Sequence, residues 1–137
     1  MRKQKIMRKN NTSKKTILIA DDEPFIREIL TRSLKHNYRI VTAEDGLEAL
    51  EKVKREKPDL IILDIDMPNM NGLEVSWRLK KGDDVRYRHI PIIMLTVKGK
   101  IGEVDEGISA GADFYVPKPF NLTRLYKKIE TLLKKET

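Results

Sequence analysis

Five short apolar runs constrain this chain more than any other feature. TILIA (16–20), RIVTA (39–43), DLIILD (59–64), PIIMLT (91–96) and DFYVP (113–117) are each strand-sized and rich in Ile, Leu and Val. Three are almost wholly apolar, the composition required of strands covered on both faces. Helical periodicity fills the intervals. Phe25, Ile26, Ile29, Leu30 and Leu34 follow one helix face, with Pro24 at a favoured first-turn position. Leu47, Leu50 and Val53 mark a second helix that ends before Pro58. A third, around 72–81, is expected to bury Leu73 and Trp77. A fourth spans 100–110 and stops at Gly111, a C-cap residue. In the last, Asn121 is the cap and Leu122, Leu125, Ile129, Leu132 and Leu133 line the inner face. Five strands alternating with five helices predict an α/β fold, a doubly wound (βα)5 parallel sheet.

In open sheets of this kind ligands bind beyond the carboxyl ends of the strands. The first strand ends in Asp21 and Asp22, the third in Asp64 and the fourth in Thr96, and the fifth runs through Tyr115 to Lys118. The second, placed at the sheet edge, offers only Glu44 and Asp45 in its loop. A single such residue would read as surface charge, but four strands carrying them in one register argue for one site. Three converging carboxylates repel unless a cation joins them. An all-oxygen donor set suits Mg²⁺ or Mn²⁺ better than zinc. A carboxylate can attack a phosphoryl group to give an acyl phosphate. A lysine ammonium and a threonine hydroxyl can then stabilise its oxygens.

The segment LIILDIDMPNMNG (60–72) poses the choice of chemistry. Asp64 and Asp66 could be the nucleophile and acid/base of a haloacid-dehalogenase-like phosphatase. Alternatively, Asp64 alone could accept a phosphoryl group as a signal. By itself the segment does not decide.

Composition sets the outer bounds. The 137 residues suit one domain and leave no room for a second of normal size. There is no Cys, and no apolar stretch approaches the roughly 20 residues of a membrane helix. The N-terminus lacks the apolar segment of a signal peptide, so a cytoplasmic setting is expected. The formal charge of +7 belongs to residues 1–15, which hold seven Lys or Arg and no acid; the remainder holds 21 basic and 21 acidic residues. This tail is read as a solvated, disordered arm, with Met7 an alternative start. Lacking aromatic residues for stacking, it is a weaker case for contact with nucleic acid or lipid headgroups. Charged residues form 36% of the chain, a lean toward a heat-adapted source.

ILIADDEP, LIILDIDMPNMNGLE, PIIMLT and GADFYVPKPF, in that order, resemble the receiver domain of two-component response regulators. The resemblance runs from residue 16 to about 134 and implies a flavodoxin-like fold with strand order 2-1-3-4-5. It implies that Asp64 is the phosphoacceptor and that Asp21 and Asp22 hold Mg²⁺ (or Mn²⁺), with Asp64 itself and the Asp66 backbone carbonyl completing the metal site. Thr96 and Lys118 match the groups that clasp the phosphoryl group, Tyr115 the aromatic switch, and Lys118–Pro119 a cis peptide. The phosphatase alternative expects its Asp-x-Asp on the first strand and a late acidic pair; here the pair comes first.

The receiver resemblance also implies partners. A sensor histidine kinase or phosphotransfer protein would supply the phosphoryl group, and small self-phosphorylation and slow self-dephosphorylation activities are expected rather than an enzyme's turnover. A downstream protein would read the face of the fourth helix, fifth strand and last helix. Val97, where the family more often has Ala, Gly or Ser, would narrow access to the phosphate; Lys98 and Asp66 would tune its lifetime. With no helix-turn-helix, catalytic or hinge segment after the last helix, a stand-alone, chemotaxis-regulator-like receiver is expected, monomeric or weakly dimeric.

Overall fold

The computed structural model describes residues 14–97 and 110–134. Each of the five apolar runs forms a strand: β1 (Thr16–Ala20), β2 (Arg39–Ala43), β3 (Leu60–Asp64), β4 (Ile92–Val97) and β5 (Phe114–Lys118). They pair in parallel in the order β2-β1-β3-β4-β5. This is the doubly wound order expected from the sequence.

The period of two in the apolar runs divides the core into two halves. Ile17, Ile19, Leu60, Ile62, Ile93 and Leu95 point to one side, where they meet Leu30 and Leu34 of α1 (Pro24–Leu34) and Leu125, Ile129 and Leu133 of α4 (Leu122–Lys134). Leu18, Ala20, Ile61, Leu63, Ile92 and Met94 point to the other. There they pack on Ala49 and Val53 of α2 (Gly46–Glu56) and on Val75 and Leu79 of α3 (Gly72–Lys80). Such burial on both faces is why these strands need almost no polar residue before their last position.

Short polar side chains fix where the helices begin. Asp45 accepts from the Glu48 amide at 2.8 Å, Asn71 from that of Glu74 at 2.9 Å, and Asn121 from that of Arg124 at 3.1 Å. Pro24 opens α1 as expected. Gly111, expected as a C-cap, has a left-handed φ of 89°, which glycine adopts readily. The helix predicted at 100–110, Lys98 and the basic tail through residue 13 lie outside the described residues, among which there are four α-helices and a one-turn 3₁₀ helix, Val85–Tyr87.

Two expectations about the core are corrected. Trp77 is not a core residue: it is 50% exposed. Gly72, Val75, Ser76 and Leu79 form the buried stripe of α3, and Trp77 falls off it. Phe25, Leu47 and Leu122 are also exposed rather than inward. Each lies in the first turn of its helix.

Candidate functional site

The carboxyl edge of the sheet gathers the chemistry. Ala20 and Leu63 are register partners, so the residues that follow them, Asp21 and Asp64, leave β1 and β3 side by side. Asp21 is fully buried and Asp64 nearly so, whereas Asp22 is exposed. Carboxylate oxygens of all three lie within 4.8 Å of one another.

Lys118 arrives from two strands away. Asp64 is paired with Leu95, whereas Lys118 is paired with Val97, two residues further along β4. That offset is about 6–7 Å of strand, a distance the lysine stem can reach back across. Its ammonium lies 3.0 Å from Asp21 Oδ2, 3.3 Å from Asp64 Oδ1 and 3.2 Å from Glu23 Oε1. The Lys118–Pro119 peptide is cis.

Burial and charge work against one another in this pocket. Burial raises the Asp64 carboxyl to about 7, the Asp21 charge adds to the rise, and Lys118 opposes it. Asp21 is raised as well, by burial first, against the pull of the Glu23 amide and Lys118. Burial disfavours the Lys118 ammonium, but the close Asp21 carboxylate and the charge of Asp64 more than offset this and raise it. One ammonium thus stands against three clustered carboxylates. Asp21 Oδ2 meets Lys118 as an ion pair, without the alignment of a hydrogen bond, and so keeps lone pairs for another ligand. A small cluster of oxygen donors with excess negative charge can hold a divalent cation.

The remaining predicted residues fall around this centre. Thr96 is buried at the end of β4, its hydroxyl donating to the Val97 carbonyl at 3.4 Å. Val97 is 45% exposed, so it stands at the rim rather than in the core. Tyr115 is half-buried and packs on the cluster containing Met94 and Leu63. Asp66 is exposed and is not among the three clustered carboxylates.

Three supporting features escaped the sequence reading. Glu23 is a third carboxylate on Lys118. Arg27, in the first turns of α1, donates to the Asp21 carbonyl at 2.8 Å and pairs with Glu44 at 3.3 Å, tying the acidic turn to the β2–α2 loop. Gly72 sits so close to the Asp64 carbonyl that a Cβ there would collide with it. The one visible signal was a Glu at an N-cap position, where Ser, Thr, Asp or Asn would be usual.

The sequence profile of the response regulator receiver domain matches residues 17–130. The chain belongs to that family. It is 46% identical over 121 residues to the response regulator MprA of Mycobacterium leprae, covering 87% of this chain and 51% of that protein. The chain thus spans about half the length of the curated relatives it matches. Among solved structures, a response regulator of Chloroflexus aurantiacus superposes with a TM-score of 0.83 at 31% identity, covering 89% of this chain and 99% of that one. Chemotaxis response regulator CheY4 of Vibrio cholerae gives 0.80 at 34% identity, covering 88% and 100%. Receiver domains are signalling modules of two-component systems, which work with histidine kinases. Among the described residues of this one, no helix is long and apolar enough to cross a membrane.

Proposed function

We propose that this receiver is a switch whose phosphoacceptor is Asp64. The observation that carries the reading is the Lys118 ammonium, 3.3 Å from Asp64 at the rim of the acidic cluster. An Asp64 oxygen attacks the phosphorus of a kinase's phosphohistidine, or of a small phosphodonor. From phosphohistidine the new P–O bond forms as the P–N bond breaks, and the departing imidazole nitrogen keeps the electron pair and takes a proton from water. From acetyl phosphate the acyl P–O bond breaks and acetate leaves with the electron pair. Lys118 and Thr96 hold the phosphoryl oxygens through the transfer. Asp21, Asp22 and Asp64, with the Asp66 backbone carbonyl, would hold Mg²⁺ (or Mn²⁺), which supplies charge neutralisation at those oxygens. Hydrolysis reverses the state: water attacks phosphorus, the acyl P–O bond breaks, and the carboxylate is regenerated. Self-phosphorylation and slow self-dephosphorylation are the only chemistry this reading requires.

The switch follows from a dianionic group added at one end of a packed sheet. Thr96 turns toward the phosphoryl group, and Tyr115, packed against the same sheet face as Met94, moves into the space released. The partner-reading face is then β5, α4 and the segment around 100–110. In this reading Val97 narrows access to the phosphoryl group, and Lys98 and Asp66 tune its lifetime.

Incubation with acetyl phosphate and Mg²⁺ tests this reading, with intact mass reporting one added phosphoryl group. Asp64→Asn should abolish the addition. Persistence of the addition in that variant, or its absence from the wild type under the same conditions, refutes the assignment.

A further inference from the structure

Glu23 is the N-cap residue of α1, yet its side chain makes no capping hydrogen bond. An N-cap side chain ordinarily serves the amides of its own first helical turn. Here the carboxylate instead lies 3.2 Å from Lys118 Nζ, across the mouth of the site. Its backbone is aimed by the acidic turn itself, the Glu23 amide donating to Asp21 Oδ1 at 2.9 Å. Lys118 therefore has three carboxylate neighbours, and they are not equivalent. Asp21 and Asp64 belong to the cation cluster; Glu23 stands outside it, with its side chain 60% exposed.

We infer that Glu23 is a positioning residue for Lys118: it holds the ammonium toward α1 while Asp64 is unmodified, and it competes with the phosphoryl group for that ammonium afterwards. The inference rests on the phosphoacceptor reading of Asp64. An ammonium has three donors, and in the unmodified site three carboxylates surround it. A phosphoryl group on Asp64 brings further acceptor oxygens carrying close to two negative charges. Lys118 must then turn part of its bonding away from α1, and the Glu23 carboxylate remains beside the new charge. Competition and repulsion act in the same direction, against the phosphorylated state. For a bare cation the sign reverses, because the Glu23 charge adds to the attraction of the acidic cluster. A residue that merely supported the fold could not move the two affinities in opposite directions.

Calorimetric titration of the full chain separates these effects, with Mg²⁺ alone and then beryllofluoride in saturating Mg²⁺ as probes. Because Glu23 is exposed and screened, Glu23→Gln should bind beryllofluoride about three- to tenfold more tightly and Mg²⁺ about two- to threefold more weakly. Glu23→Asp keeps the charge but shortens the reach. It should bind Mg²⁺ as the wild type does and beryllofluoride at least about twofold more tightly. Beryllofluoride affinity unchanged or weakened in Glu23→Gln overturns the inference while leaving the function of Asp64 intact. A wild type that binds no beryllofluoride overturns the phosphoacceptor reading itself.

Discussion

Lys118 Nζ stands 3.3 Å from Asp64 Oδ1 although the two residues end strands that are not neighbours, with β4 lying between them. The contact passes over the end of β4, where Thr96 and Val97 sit, so a group added to Asp64 meets three strand ends at once. The same ammonium is also 3.0 Å from Asp21 Oδ2. It is the countercharge on which two buried carboxylates depend.

Replacing it should therefore cost stability as well as function. Lys118→Met keeps most of the side-chain volume but leaves Asp21 and Asp64 facing one another. Breaking a buried pair from one side costs roughly 3–5 kcal/mol, and the rim position of this one reduces the expected loss to about 2–3 kcal/mol at pH 7.5 without metal. At pH 5 protonation of the carboxyls should recover much of that loss. Urea unfolding at the two pH values measures it, and a variant equally stable to the wild type at pH 7.5 would exclude this role.

The elevated Asp64 carboxyl makes a directional prediction about pH. In the unfolded chain its carboxyl has the ordinary value of 3.8; in the folded protein it is raised to about 7. Between those values the folded state binds protons that the unfolded state does not, so this group's contribution to stability falls as pH rises from about 4 to about 7. A loss of up to about 4 kcal/mol over that window is expected, and Asp64→Asn should lack it. Thermal melts in chelator at stepped pH, wild type minus variant, isolate the effect. Cation affinity should run the other way, tightening up to about pH 7 as the ligands lose their protons. A difference curve that rises with pH would contradict the assigned direction.

How far the sequence carried depended on what each residue had to satisfy. Asp21, Asp64, Thr96 and Lys118 were legible because each stands at the end of an apolar strand, and the alternation of strands with helices brings strand ends to one edge. The two core faces were legible for the same reason, as the alternation of Ile17 with Leu18 and of Ile93 with Met94 shows. Trp77 was misplaced because helical spacing alone does not say which face of a helix turns inward. In α3 the close approach of Gly72 to the Asp64 backbone goes with a stripe that leaves Trp77 out. Glu23 and Arg27 were missed because their partners, Lys118, Glu44 and a backbone carbonyl, are tertiary contacts that no local spacing encodes.

Asp66 separates the signalling reading from a phosphatase. It is exposed and outside the acidic cluster, and in the proposed switch its carboxylate influences water near the site rather than assisting Asp64 in transfer. Asp66→Asn should still take up one phosphoryl group from acetyl phosphate, with a changed rate of loss. Phosphorylation followed by intact mass over time gives both quantities. Loss of uptake in this variant, together with repeated hydrolysis of phosphate esters by the wild type, would instead favour an acid/base role for Asp66.

Gly72 links the fold to the site most directly. It opens α3, and its amide donates to the Ile65 carbonyl at 2.8 Å, folding the loop that follows β3 back onto the strand end. A methyl group at this position would collide with the Asp64 carbonyl oxygen and crowd Ile65 Cα. Both obstacles are backbone, so relief requires the end of β3 or the start of α3 to shift. Gly72→Ala should therefore destabilise the protein by about 2 kcal/mol or more, despite the better helix propensity of Ala, because overpacking against an unyielding backbone outweighs that gain. It should also weaken Mg²⁺ binding, since Asp64 carries one of the three clustered carboxylates. Chemical unfolding and a Mg²⁺ titration on the same variant test both effects. A stable variant with unaltered Mg²⁺ affinity would show that the backbone of the acceptor strand yields more readily than its burial among Leu63, Ile65 and Leu95 implies.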